Sequence, residues 1–97
     1  MEHVFLTGAT GFVGARLLQK WLERSSANLT VLVRSRREMS AEIRVRESLS
    51  RLITGTNRND LLRRVTVLEG DLGRPGLGIA ETECRALATS VTHIIHC

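Results

Sequence analysis

The chain has 97 residues, of which 42% are apolar and 25% charged, and it carries a formal net charge of +4 at pH 7. This length predicts one small domain over residues 1–97, with the composition of a globular protein. No apolar run approaches the ~20 residues of a membrane-spanning helix. The basic residues are scattered and only Phe5, Phe12 and Trp21 are aromatic, which argues against nucleic-acid binding.

Cysteine and histidine spacing points away from metal and disulfide chemistry. Cys84 and Cys97 lie far apart, outside any redox or ligand spacing, and no signal peptide opens the chain. We therefore expect reduced thiols in a cytoplasmic protein, with Cys84 as a small buried apolar residue. The three histidines lack metal-ligand spacing and are interpreted as strand residues with local hydrogen bonds, so no metal site is predicted.

The first half of the chain alternates between strand and helix patterns. Residues 3–7 form a short apolar run that is typical of a strand buried on both faces, and residues 29–34 form a second, β-branched one. Between them, residues 12–25 have helical spacing. The predicted apolar stripe of this helix consists of Val13, Leu17, Leu18, Trp21 and Leu22.

The second half repeats the alternation. A helix is predicted over residues 38–53, with Gly55 as its C-terminal cap, and a third strand over residues 65–70. A short helix capped by Thr82 and a fourth strand over residues 92–96 follow.

The element order β-α-β-α-β-α-β predicts a Rossmann-type α/β fold with a doubly wound parallel sheet in the strand order 3-2-1-4. Its apolar fourth strand lies at an open edge and ends the chain. We therefore expect the N-terminal part of a single NAD(P)-binding domain, whose open edge could support self-association.

Three glycines follow the first strand, in the segment Thr7-Gly8-Ala9-Thr10-Gly11-Phe12-Val13-Gly14. In a dinucleotide-binding fold, Gly8 would allow the tight turn, Gly11 the approach of a pyrophosphate, and Gly14 close packing of the helix against the sheet. The alternative is a glycine-rich turn that only tightens the corner. The strand before the motif and the helix after it favour dinucleotide binding.

The start of the first helix is the predicted phosphate site. The first N–H groups of a helix lack partners within the helix and carry a partial positive charge. We expect the backbone amides of Phe12 and Val13 to contact phosphate, with the Thr10 hydroxyl beside them.

Cofactor choice is predicted from the end of the second strand. NAD-binding proteins usually have a carboxylate there, whereas this chain has Arg34 followed by Ser35-Arg36-Arg37. A guanidinium can pair with the 2′-phosphate of NADP, so we predict NADPH; the alternative is a solvated arginine at a strand end. Asp71, after the third strand, could accept a bond from the adenine amino group or simply form a turn, and both interpretations stay open.

The glycine motif resembles the signature of extended short-chain dehydrogenases. Leu32-Val33-Arg34 with Ala41-Glu42-Ile43-Arg44 resembles the "LVR…AxxR" stretch of thioester reductase domains. The segment Gly70-Asp71-Leu72-Gly73-Arg74-Pro75-Gly76-Leu77-Gly78 resembles their "GDLSxPxLGL" loop, and Thr92-His93-Ile94-Ile95-His96 their "DxIIH" strand.

This resemblance implies a cofactor and a reaction. Arg34 and Arg44 would hold the 2′-phosphate, and Asp71 and Leu72 would line the adenine pocket. Such domains transfer hydride from NADPH to an acyl thioester, on a carrier protein or coenzyme A, and give an aldehyde or an alcohol.

The chain departs from that family in its catalytic residues. The family uses a Tyr and a Lys four residues apart, whereas this chain has no tyrosine and its one lysine, Lys20, lies in the first helix. No catalytic residue is therefore assigned, and the 97 residues alone are predicted to be inactive. The alternatives are another extended short-chain dehydrogenase, such as a sugar-nucleotide epimerase, or a non-catalytic dinucleotide sensor.

Overall fold

The structure, a computed structural model, describes residues 2–36 and 38–97. Met1 and Arg37, the last residue of the predicted basic stretch, lie outside the described residues. The elements in chain order are β1 (His3–Thr7), α1 (Phe12–Arg24), β2 (Asn28–Val33), α2 (Ala41–Ser50), α3 (Arg58–Leu62), β3 (Val65–Glu69), a 3₁₀ turn (Pro75–Gly78), α4 (Glu81–Ser90) and β4 (His93–His96).

The four strands form one sheet in the order β3-β2-β1-β4, and every neighbouring pair is parallel. In the central pair, Phe5 of β1 lies opposite Thr30 of β2. On the other side of β1, Phe5 lies opposite Ile94 of β4. The predicted Rossmann-type fold and strand order are confirmed, and the carboxyl ends of all four strands lie at one edge of the sheet.

The main core lies between one face of the sheet and the helices α1, α2 and α3. Alternate strand residues point to this face, where they pack against apolar side chains of the helices. The largest fully buried side chains are Leu6, Leu18, Leu22, Leu29, Leu49, Ile53, Val4 and Val31. Right-handed crossovers place α4 on the opposite face.

The α4 face of the sheet is less completely covered. Helix α4 has no buried residue, and Ile94 of β4 is 74% exposed. Phe5, Leu87, Val91 and Ile94 line an apolar groove of about 340 Å³ between the sheet and α4.

Arg64 binds the backbone of the segment that connects α1 and β2. Its guanidinium donates hydrogen bonds to four backbone carbonyls, those of Ala27 (2.9 Å), Leu22 (2.9 Å), Ser25 (2.7 Å) and Trp21 (3.4 Å). The Leu22 carbonyl lies in the last turn of α1, where helix carbonyls lack partners within the helix, whereas the Trp21 carbonyl also accepts from the Ser25 amide (3.1 Å). The side chain thus stabilises the end of α1 from a position about forty residues away in sequence.

Helix boundaries differ from the prediction where capping decides them. Helix α2 begins at Ala41 and not at residue 38, because the Ser40 hydroxyl accepts a hydrogen bond from the Ile43 amide (3.3 Å) and caps it. The helix ends at Ser50, so the predicted cap at Gly55 is wrong; Leu52 and Ile53 instead donate to the Leu49 carbonyl in a closing turn.

The short helix and the strand ends also differ in detail. Helix α4 begins before Thr82, at Glu81, and the Glu83 carboxylate accepts a hydrogen bond from the Ala80 amide (3.4 Å), so Thr82 is not its cap. Helix α1 ends at Arg24, and β2, β3 and β4 differ from their predicted ranges by one residue. Helix α3 (Arg58–Leu62) was not predicted.

Two side chains are more exposed than predicted. Val13, in the first turn of α1, is 61% exposed. Cys84 is half-buried, and its Sγ donates to the Gly76 carbonyl (3.4 Å). The prediction for the histidines is confirmed, since His3 bonds to Thr30 (2.7 Å) and His96 to Thr7 (2.5 Å).

Candidate dinucleotide-binding site

The loop between β1 and α1 depends on two glycines in contact. Gly8 has φ +76°, a left-handed conformation that glycine adopts without strain. A Cβ on Gly14 would lie 1.9 Å from the Gly8 carbonyl oxygen, so the first turn of α1 packs directly on the loop backbone. This confirms the tight turn at Gly8. The atoms nearest to Gly14 belong to the backbone of Gly8 and Ala9, so the helix start packs on the loop and not, as predicted, on the sheet.

The third glycine, Gly11, has open space beside its backbone. A Cβ on Gly11 would meet only the Gly8 oxygen, at an ordinary contact distance of 3.4 Å. Gly11 is the N-cap of α1 and contributes no side-chain cap. The backbone at this position is therefore accessible to a ligand.

The first amides of α1 are available as donors. Among residues 2–36 and 38–97, no acceptor pairs with the N–H groups of Phe12 and Val13, whereas Gly11 and Ala15 donate to the carbonyls of Gly8 (3.1 Å) and Gly11 (2.9 Å). The Phe12 side chain is 79% exposed, with the Arg16 guanidinium 5.2 Å from its ring centre. Two free amides and the positive end of a helix thus face solvent together.

Two arginines lie beside this loop, at the end of β2 and on α2. Arg34 follows β2 directly and is exposed, and within the described part of the chain its guanidinium has no hydrogen-bonding or ionic partner. Arg44 donates from Nη1 to the Arg34 carbonyl (2.5 Å) and from Nη2 to the Thr10 hydroxyl (3.2 Å). Thr10, Arg34 and Arg44 therefore form one connected group.

The loop after β3 supplies Asp71 and Leu72. Asp71 Oδ1 accepts a hydrogen bond from the Gly73 amide (2.8 Å), and the Asp71 amide donates to the Leu77 carbonyl (2.8 Å). Leu77 has φ 61°, which is unusual for a residue with a side chain. The carboxylate thus forms a turn through Oδ1, as one of the two interpretations of Asp71 predicts. This turn leaves the adenine contact a prediction.

A cleft of about 300 Å³ at the carboxyl edge of the sheet brings most of these residues together. Ligands of open parallel sheets bind at this edge. The cleft is lined by Thr7, Gly8, Ala9, Thr10, Leu32, Val33, Arg34, Arg44, Gly70, Asp71, Leu72 and Cys97. Gly11, Phe12, Val13 and Gly14 are not in its lining and continue from Thr10 into α1.

Several lining residues were not predicted. Leu32 and Val33 end β2, Thr7 ends β1, and Cys97 follows β4. Their position after or at the end of a parallel strand was the available signal, because all such ends meet at one edge. The cleft contains two guanidinium groups and one carboxylate, which suits an anionic ligand.

The described ranges contain no cluster of three His, Cys, Asp or Glu side chains that could hold a metal ion. None of the helices within them is both long and apolar enough to cross a bilayer.

Comparison with known proteins identifies the family. The family model NAD_binding_4, described as "Male sterility protein", matches residues 6–97. The chain is 38% identical over 94 residues to the nonribosomal peptide synthetase asaC of Aspergillus flavus, covering 96% of the chain and 9% of that protein. It is 32% identical over 101 residues to human fatty acyl-CoA reductase 1, covering 99% of the chain and 20% of that protein.

Solved structures of reductase domains are similar to the chain in both fold and sequence. The terminal R domain from the myxalamid PKS-NRPS pathway matches with a TM-score of 0.82 and 36% identity over 99% of the chain. The reductase (R) domain of a nonribosomal peptide synthetase from Mycobacterium tuberculosis matches with a TM-score of 0.82 and 31% identity over 100% of the chain. The chain spans 24% of each of those structures. By sequence and fold, the chain belongs to the male sterility protein family of NAD(P)-binding, Rossmann-type reductase domains, as its motifs predicted.

Proposed function

We propose that the chain is the NADPH-binding part of a reductase that acts on acyl thioesters. The observation that carries this proposal is the cleft that the glycine loop shares with Arg34. Free backbone amides suit a diphosphate, and an unpaired guanidinium suits one further phosphate. NADPH combines both groups, whereas NADH lacks the second.

The residues present fit this cofactor. The contact between Gly8 and Gly14, which any Cβ at Gly14 would obstruct, holds the start of α1, with the amides of Phe12 and Val13, against the loop that carries Thr10. These groups would hold the pyrophosphate. Arg34 would bind the 2′-phosphate, and Asp71 with Leu72 would border the adenine.

When bound, the cofactor would supply a hydride to the thioester carbonyl carbon. In this proposal the acyl group is carried on a carrier protein or on coenzyme A, and the product is an aldehyde or an alcohol. The relatives named as a reductase domain of a peptide synthetase and as a fatty acyl-CoA reductase support this substrate class.

The groups that protonate the substrate are not among these 97 residues. The chain contains no tyrosine, and its one lysine, Lys20, is exposed on α1. We infer that the chain binds the cofactor and has no turnover by itself. Arg34, in place of a carboxylate at the end of β2, favours this proposal over an NAD-dependent epimerase.

Removal of the Arg34 guanidinium tests the proposal. The unmodified chain should bind NADPH more tightly than NADH, and Arg34→Ala should lose about 1–3 kcal/mol of that preference in fluorescence titrations. Arg24→Ala is the matched control, because Arg24 is also exposed but lies at the far end of α1. Equal affinity of the unmodified chain for both cofactors would refute the choice of NADPH.

A further inference from the structure

We infer that Arg44 is a positioning residue, which fixes the phosphate-binding loop against the end of β2 before any cofactor is present. The inference rests on the proposed function and deepens it. The resemblance to thioester reductases implies a direct 2′-phosphate contact for Arg44. The hydrogen bonds of the Arg44 guanidinium instead indicate that it positions the loop.

The two bonds of Arg44 reach two separate segments. Nη1 donates to the Arg34 backbone carbonyl (2.5 Å), directly after β2, and Nη2 donates to the Thr10 hydroxyl (3.2 Å), in the loop before α1. Arg34 and Thr10 are 24 residues apart in sequence and both line the cleft. One planar group therefore sets the separation between the proposed pyrophosphate site and the proposed 2′-phosphate site.

The helix that carries Arg44 is itself firmly held. Ala41, Val45 and Leu49 of α2 are buried in the main core. At the helix start, the Ala41 amide donates to the Glu69 carboxylate of β3 (3.3 Å), and Ser40 caps the first turn. A half-buried arginine on such a helix can hold a loop in place, because its own backbone is anchored in the core.

The positioning role predicts an outcome that a phosphate contact does not. A residue that touches only the 2′-phosphate affects NADPH, because NADH has no such group. A residue that places the pyrophosphate loop affects both cofactors to the same extent. Lysine should also fail to replace Arg44, since a single ammonium cannot reproduce two bonds from a rigid planar fork.

The test titrates the full chain and its variants with NADPH and with NADH. Arg44→Ala and Arg44→Lys should each weaken both cofactors by about three- to thirtyfold, the loss expected for one or two hydrogen bonds. Arg46→Ala is the matched control, because Arg46 lies on the same helix and, among the residues that the structure describes, pairs with Glu42 alone on the exposed surface (3.2 Å). It should leave both affinities within about twofold of the unmodified chain.

A second measurement is independent of binding. Without cofactor, NMR-detected hydrogen exchange at the Gly11 and Ala15 amides reports the order of the loop, since both donate to loop carbonyls. Exchange at these amides should accelerate in Arg44→Lys, which keeps the charge and most of the side chain, and should stay unchanged in Arg46→Ala.

The outcomes separate the two claims. Loss of NADPH affinity alone, with full retention in Arg44→Lys and unchanged loop exchange, would overturn the positioning role in favour of a direct phosphate contact. If the unmodified chain bound neither cofactor, the proposed function would fail. The exchange comparison would still decide whether Arg44 orders the loop.

Discussion

Alanine at Gly14 or Gly11 separates the folding role of the glycine loop from its binding role. At Gly14, a Cβ would lie 1.9 Å from the Gly8 oxygen and 2.6 Å from the Gly8 carbon, both of which are backbone atoms. Relief of this clash requires the start of α1 to move by more than an ångström. Such overpacking costs about 1–3 kcal/mol, and the better helix propensity of alanine returns at most ~1 kcal/mol.

We therefore expect Gly14→Ala to lower the free energy of unfolding by about 1–2 kcal/mol. For a domain of this size, that corresponds to a fall in Tm of about 5–15 °C. Far-UV circular dichroism during thermal unfolding and Trp21 fluorescence in urea would measure it. NADPH affinity should fall with it, because the displaced helix start carries the proposed phosphate donors.

Gly11→Ala is the matched variant. Its Cβ would meet only the Gly8 oxygen, at 3.4 Å, so the fold should lose about 0.5 kcal/mol, for the poorer N-cap alone. The added methyl lies where the backbone is open, and NADPH affinity should fall by about tenfold or more. Unchanged stability of Gly14→Ala would refute the packing argument, and unchanged NADPH binding by Gly11→Ala would refute the phosphate approach.

Three further predictions concern the rest of the chain. Arg64→Ala should lower the free energy of unfolding by about 2–3 kcal/mol in urea denaturation, because it removes the donors to four carbonyls. The control Arg63→Ala should cost under about 0.5 kcal/mol, because the pair of Arg63 with Asp60 is exposed (3.6 Å). Equal losses in the two variants would contradict the role of Arg64. Ile94→Lys should leave Tm within about 2 °C, because Ile94 is exposed, and should weaken any self-association in sedimentation analysis, because it adds a charge to the edge strand β4. Unchanged association would exclude the edge of β4 as the contact between copies of the chain. The 97 residues should oxidise no NADPH with any acyl thioester in a 340 nm assay, and measurable turnover would contradict the inference that they only bind the cofactor.

The strands and the glycine loop could be predicted because their signals are local. Apolar runs gave all four strands to within one residue, and the spacing of Gly8, Gly11 and Gly14 gave the strand–turn–helix context. Helix α3 escaped prediction because its residues, Arg58–Leu62, are too few to show a helical period. Leu61 is its one buried residue, so packing and not periodicity supports it.

The candidate site was predictable as a set of strand ends and not as a set of contacts. Arg34 and Asp71 follow parallel strands, whose carboxyl ends must share one edge. The bond from Arg44 to Thr10 joins residues 34 positions apart, and only the tertiary structure creates it. The positive φ of Leu77 could not be predicted from the sequence either, because nothing in its side chain indicates a left-handed backbone.

Titration of the ¹⁵N-labelled chain with NADPH would show whether the glycine loop and Arg34 bind this cofactor together. We expect the largest amide shift changes at residues 11–14, Arg34 and Asp71. NADH should reproduce the changes at 11–14 without the change at Arg34. No shift changes up to millimolar NADPH, or changes confined to the apolar groove beside Ile94, would contradict NADPH binding by the glycine loop and Arg34.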